Sequence, residues 1–270
     1  MSLVKHRSRL KSISNLNSIL SAMQIVTMVR MQRIREKNIL IETYLHPIRE
    51  ILGGMVHKKE TKQKILVLVS STRGLCGSFN SELFNKVKEF INKYRNINYI
   101  AIGQKSDEFL KRQKLNILFS NYEILGKNNY SNACELFKNI FNGEAELFVA
   151  YNSYQSGSYY FPVIRKLYPI PYELINIANE KNILYEPNID ILTENLFYHY
   201  LETSFYQIIV NSQIYEFTAR LMVLKNAVDN SKELIDKLVL NINKTRQSDI
   251  TKDLSEIIAS VQVLRRAEDE

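Results

Sequence analysis

All eight glycines and all five prolines of this 270-residue chain lie between Pro47 and Pro187. The 46 residues before Pro47 and the 83 after Pro187 contain neither. Gly and Pro cost roughly 1 and 3 kcal/mol in a helix interior, so both ends are free to form very long helices. At about 1.5 Å rise per residue, an unbroken helix over the last 83 residues would reach roughly 125 Å. A compact middle domain measures about 30–40 Å across, so helices of that length are expected to project from it. The expected outline is a globular knob with a long helical arm.

The arm carries its own periodicity. In the first helix, apolar residues step by three and four through Leu10, Ile13, Leu16, Leu20 and Met23. The series continues at Met31, Ile34, Ile41, Leu45, Ile48 and Leu52, with Thr27 and Asn38 as polar interruptions. In the last helix the rhythm runs through Phe217, Leu221, Leu224, Val228, Ile235, Leu238 and Ile242. It resumes one residue out of phase at Ile250, Leu254, Ile257, Val261 and Leu264, and the slip falls on Arg246-Gln247-Ser248-Asp249. Both series read as coiled-coil seams. Residues 1–46 carry a net charge of +6, the middle +6 and residues 188–270 a net −4, so the two helices attract. The first ends at the middle domain and the second begins there, so they are expected to pair antiparallel. The first would span roughly 75 Å and the second up to roughly 125 Å, which leaves an overhang. Val261 and Leu264 sit on it, and exposed apolar side chains there call for another protein to cover them.

Between the helices the pattern changes. Lys64 to Ser70 is a continuous apolar run, the signature of a buried parallel strand. A loop over Ser71 to Ser78 follows, then an amphipathic helix from Ser81 to Tyr94 on Leu83, Val87, Phe90 and Ile91. Further strands are predicted at Tyr99–Ile102, Leu115–Phe119 and Ala145–Tyr151, with helices near Ser106–Gln113 and Asn132–Phe141. Strand–helix alternation at this spacing implies a Rossmann-like open sheet. The expected fold class is α/β: a long antiparallel coiled coil of N- and C-terminal helices plus a Rossmann-like α/β domain between them. The expected division is 1–56, 57–187 and 188–270.

Several functions are disfavoured by what the chain carries. Cys76 and Cys134 stand alone, which suits a reducing compartment better than a disulfide scaffold. No apolar run reaches the 18 or so residues of a membrane span, so a soluble or peripheral chain is expected. His6, His46, His57 and His199 are scattered, with no HExxH, and no GxSxG is present, so neither a metal nor a catalytic site is expected. The loop Arg73-Gly74-Leu75-Cys76-Gly77 follows a strand and precedes a helix, as phosphate loops do. It has neither GK[ST] nor GxGxxG, so a tight structural turn is the simpler reading, with Arg73 free to meet an acidic partner. No acid precedes Glu36, as in a transit peptide, but the apolar period runs on without a break into the following forty residues.

Three stretches together resemble a known family. They are Ala22-Met23 with Arg30 and Arg33; the Arg73–Gly77 loop; and a C-terminal run. That run contains Asp229-Asn230, Asn243-Lys244-Thr245-Arg246-Gln247 and Ile250-Thr251-Lys252-Asp253-Leu254-Ser255-Glu256-Ile257. The chain resembles the gamma subunits of rotary F-type ATP synthases over essentially its whole length. The resemblance implies a central stalk whose coiled coil stands inside a ring of alpha and beta subunits. Its knob would rest on the c ring beside epsilon, with peripheral membrane association through the complex. It implies no cofactor, no nucleic acid and no chemistry in this chain, and a bacterial inner-membrane location on the cytoplasmic side.

Residue by residue, the resemblance implies that Arg246 and Gln247 grip a loop of a beta subunit, with Thr251 and Asp253 in the same region. Glu216 and Arg220 match a charged pair in contact with the alpha/beta hexamer. Met23, Arg30 and Arg33 match the part of the first helix that faces an acidic lever of beta. Tyr185 and Glu186 match the foot at the c ring and epsilon. This chain departs from the family where Ser21 stands for Lys, Thr72 for Asp and Asp253 for Glu. It lacks the segment with two close cysteines that serves as a redox switch in chloroplast forms. Two other classes compete. One is a nucleotide-dependent Rossmann-like enzyme with oligomerising helices, which needs a phosphate-binding glycine pattern. The other is a basic coiled coil on nucleic acid, suggested by pI 9.2, which needs basic and aromatic residues on one exposed face.

Overall fold

The computed structural model describes residues 3–52, 63–94, 97–127, 129–141, 143–156, 159–170 and 189–268. Helix α1 spans Leu3–Leu52 and helix α6 spans Ile189–Glu268, 50 and 80 residues respectively. Between them lie β1 (Gln63–Val69), α2 (Phe79–Lys93), β2 (Asn98–Ile102), α3 (Gln104–Arg112) and β3 (Ile117–Asn121). The short α4 (Ile124–Lys127), α5 (Tyr130–Ile140), β4 (Ala145–Ser156) and β5 (Tyr159–Tyr168) complete the set. The chain packs as two compact units: Thr27–Leu221, and Met1–Val26 with Met222–Glu270. These units follow packing, whereas a division at 1–56, 57–187 and 188–270 follows element type.

In the Thr27–Leu221 unit, five strands form one sheet in the order β3-β2-β1-β4-β5. The first four run parallel and β5 lies antiparallel on β4. Strand β1 is apolar and buried from Ile65 to Val69 because both of its faces are covered there. Ile65, Val67 and Val69 point to one core, together with Ile100, Ile102, Leu147 and Val149. The helices over this face are α5, the α1 residues Ile41, Leu45, Ile48 and Leu52, and α6 from Phe197 to Ile214. Leu66 and Leu68 point the other way, with Tyr99, Ala101, Phe148 and Ala150, against α2 and α3. The helices α1 and α6 run antiparallel here: Thr218 Oγ1 donates to Met31 Sδ, and Gln207 Nε2 to Glu42. Farther along the pair, Tyr44 Oη and His199 Nε2 lie 2.6 Å apart. Helix α1 continues through Pro47, whose ring is exposed while its neighbours Leu45 and Ile48 are buried. Packing of these neighbours outweighs the local cost of the missing N–H.

Strand β5 was not foreseen from the sequence, and β4 is longer than Ala145–Tyr151. The residues from Tyr151 to Tyr168 read as mixed aromatic and polar, without the continuous apolar run that marks β1.

In the other unit the helices also pair antiparallel, with Ser231 Oγ donating to Asn17 Oδ1 at 2.7 Å. Leu224, Val228 and Leu238 are buried. The seam differs from the sequence reading, which placed Leu16 and Met23 in it. The shielded positions of α1 in this unit include Leu3, His6, Leu10, Ile13, Asn17, Leu20 and Gln24, an unbroken alternation of three and four, with Ser21 shielded beside Leu20. Leu16 and Met23 are 51% and 37% exposed. A coiled coil holds its period even through a polar position, provided that position is satisfied, as Asn17 is by Ser231.

Candidate functional site

Strand order reverses between β1 and β4, and open α/β sheets bind their ligands in the crevice outside the strand ends at such a point. Here that crevice is filled by the chain itself. Asn152 of β4, fully buried, donates through Nδ2 to the Phe79 carbonyl at 2.8 Å. Asn80 accepts from the Ser71 N–H and donates to Ser71 Oγ and to Cys76 Sγ. The Phe79 N–H donates to the Cys76 carbonyl at 3.2 Å. Cys76 and Phe79 pack against Ala219 and Tyr215 of α6. The turn is made by two left-handed residues, Leu75 (φ 61°) and Gly77 (φ 57°). Glycine suits that conformation; for leucine it is uncommon, and the surrounding contacts hold it there. The donors a phosphate would need at Ser71 and Phe79 are therefore spent on holding the loop to the domain.

Two of the sequence-predicted residues, Glu216 and Arg220, meet beneath this loop. Arg220 Nη2 donates to Glu216 Oε1 at 2.7 Å, to the Arg73 carbonyl at 3.2 Å and to the Gly74 carbonyl at 3.3 Å. Both residues are 7% exposed, so the pair is engaged inside the chain. Burial pushes the Glu216 carboxyl upward, an effect opposed first by Arg220 and also by the Arg73 guanidinium. Arg73 itself is exposed. Arg30, Thr72, Arg73, Glu216 and Arg220 line a cleft of about 170 Å³, with three cations to one carboxylate. Arg33 is exposed one turn farther along α1.

Met23, Arg246, Gln247, Thr251 and Asp253 belong to the other unit, and all five are exposed. Counting in antiparallel register from the Asn17–Ser231 contact, Leu3 falls opposite Thr245. Among the described side chains, Thr245 is the last of α6 with any shielding; Arg246 to Val261 are all exposed. The helix runs through the polar stretch 246–249 without a break. At about 100° per residue, Arg246, Gln247, Ile250, Thr251, Asp253, Leu254, Ile257 and Ile258 fall within a sector of about 160°. Ile250, Leu254, Ile257, Ile258 and Val261 are 44–58% exposed there. Exposed apolar residues in such a row mark a surface that another protein covers. A second feature went unread in the sequence. Leu16, Ile19, Met23 and Val26 form an exposed stripe on α1, spaced by three and four alongside the seam. That spacing was its signal. Tyr185 and Glu186 lie outside the described residues.

Cys76 is buried and its sulfur accepts from Asn80 Nδ2 at 3.2 Å. A serine hydroxyl can take over that contact, so Cys76→Ser is expected to keep the loop folded at a cost of about 1 kcal/mol. Thermal unfolding checks this, and a loss of more than about 3 kcal/mol would give the thiol a role its packing does not suggest.

The fold and the exposed helix define a class: two long terminal helices, paired antiparallel within each unit, and between them in the chain a doubly wound α/β domain whose ligand crevice is closed. A family model described as ATP synthase matches residues 2–264. The ATP synthase gamma chain of Buchnera aphidicola subsp. Melaphis rhois is 31% identical over 281 residues, covering 96% of each chain. That of Actinobacillus pleuropneumoniae is 31% identical over 286 residues, covering 96% of this chain and 98% of the relative. Among solved structures, the fold is similar to a chain of the Euglena gracilis mitochondrial ATP synthase in rotational state 3. The TM-score is 0.71 at 16% identity, covering 99% of this chain and 96% of that one. A chain of the rotor of the same synthase in rotational state 1 gives 0.66 at 15% identity, covering 92% and 98%. The chain belongs to the ATP synthase gamma-chain family.

Proposed function

We propose that this chain is the central rotor shaft of an F-type ATP synthase, carrying rotation of the membrane c ring to the catalytic beta subunits. The observation that carries this reading is the single-helix stretch Arg246–Val261, exposed throughout and bearing an apolar row with no covering element among the described residues. A shaft needs a stiff helix, an asymmetric surface and partners that supply the chemistry. The absence of Gly and Pro from the last 83 residues supports the first. On this reading the chain is a non-catalytic subunit, held at the cytoplasmic face of a bacterial inner membrane through its complex.

Arg246, Gln247, Thr251 and Asp253 grip a beta loop, and Met23, Arg30, Arg33 and Arg73 face acidic parts of the ring. Glu216 and Arg220 belong to the same contact region from beneath, and Tyr185 with Glu186 forms the foot at the c ring and epsilon. Exposed cations support the acidic assignment through their charge. Purification of a tagged chain from its native membranes tests the reading. Recovery of alpha, beta, epsilon and c subunits in one assembly is expected. Recovery of the chain alone with a bound nucleotide would overturn it and point to the Rossmann-like enzyme instead.

A further inference from the structure

We infer that the buried Glu216–Arg220 pair is a positioning device: it fixes the loop after β1 to α6 and so holds Arg73 in place for its partner. This inference rests on the reading of Arg73 as a contact to an acidic segment of the ring. An exposed ion pair four residues apart on a helix face needs no such explanation. This pair is different in three ways. It is buried, its arginine bonds two successive carbonyls of the loop, and those carbonyls immediately precede the only left-handed non-glycine residue of that turn, Leu75. A guanidinium can serve one carboxylate and two carbonyls together because its donors form a rigid fork. Glu216 neutralises the charge that makes this possible in a buried place.

The geometry separates two tasks along one residue. The Arg73 backbone carbonyl is tied inward to Arg220, while its side chain is left exposed at the cleft it shares with Arg30. Cys76 and Phe79, packed on Ala219 and Tyr215, secure the far side of the loop. A cation on a free loop would lose its ordering on each encounter with a moving partner; a tethered one keeps its direction. Rotation of α6 then carries the Arg73 loop with it through hydrogen bonds as well as packing.

The test uses assembled complexes carrying Arg73→Ala, Arg220→Lys, Arg220→Ala and Arg73→Ala with Arg220→Ala. Arg220→Lys keeps Glu216 paired but loses the fork, so the chain folds while the loop loosens. Amide exchange at 73–77 is expected to rise about tenfold in Arg220→Lys, with β1 and α2 unchanged. ATP turnover in Arg220→Ala is expected to fall as far as in Arg73→Ala, and the double variant no further, because both remove the same contact. Unchanged loop exchange in Arg220→Lys overturns the inference. So does a double variant whose loss is the product of the two single losses, or exchange that rises equally across β1 and α2. Wild-type turnover in Arg73→Ala would remove the partner contact itself, and the exchange rates alone would then decide the tether.

Discussion

Replacing Arg246 and Gln247 together by alanine is expected to lower ATP turnover of the assembled complex by about tenfold or more while leaving the fold untouched. Both side chains are exposed on a helix that has no partner at that point among the described residues. Exposed substitutions of this kind change stability by roughly 0.5 kcal/mol or less. Alanine is also the best helix former, so α6 loses nothing locally. A hydrogen bond from a charged group across an interface is worth about 1.5–3 kcal/mol, and each 1.4 kcal/mol is about a factor of ten in rate. If the pair grips a beta loop during rotation, that energy is lost from a step of the cycle. Thermal unfolding of the variant chain and turnover of the complex measure the two effects separately. Turnover at the wild-type level would remove the grip, and a large fall in melting temperature would mean that these residues serve the helix.

Much of this architecture was legible because it rests on exclusions that short segments obey. A stretch of 83 residues without Gly or Pro leaves few alternatives to helix, and α6 fills 80 of them. The alternation of strands and helices from Lys64 to Tyr151 came from continuous apolar runs, which arise only when both faces of a strand are covered. The seam is less legible, because hydrophobicity alone selects the wrong members. Leu16 is more apolar than Asn17, yet Asn17 is shielded and Leu16 exposed. The period decides, and Ser231 makes the polar choice tolerable.

The same lesson applies to the candidate site. Glu216 and Arg220 look like a surface pair from their spacing alone, since an i,i+4 charge pair is ordinary on any helix. Their burial depends on a loop more than 140 residues earlier in the chain, whose carbonyls accept from Arg220. No local pattern encodes that contact. The glycine loop is legible as a turn because it lacks a phosphate-binding spacing, but nothing local in it encodes what it packs against. By contrast, the exposure of Arg246–Val261 follows from arithmetic: one helix is longer than the other, and an antiparallel register leaves the excess bare.

A proline at Asn226 is expected to uncouple the complex more than it slows it. Asn226 is exposed in the paired part of α6, between the buried Leu224 and Val228. Proline there removes one backbone hydrogen bond, clashes with the preceding turn and costs about 3 kcal/mol or more. Helices relieve that strain by bending, with kinks of more than about 20°. Asn226→Ala is the control, since it leaves the backbone intact and slightly favours the helix. The doubly wound sheet and its two cores lie in the other packing unit, so their stability should hold. Hydrolysis needs only that the beta sites cycle, whereas pumping needs torque delivered along an unbent helix. The ratio of protons pumped to ATP hydrolysed in reconstituted vesicles is therefore expected to fall in Asn226→Pro and to stay at the wild-type value in Asn226→Ala. A proline variant that assembles and pumps at the wild-type ratio would show that the helix need not be stiff there. The absence of glycine and proline from the last 83 residues would then have no mechanical meaning.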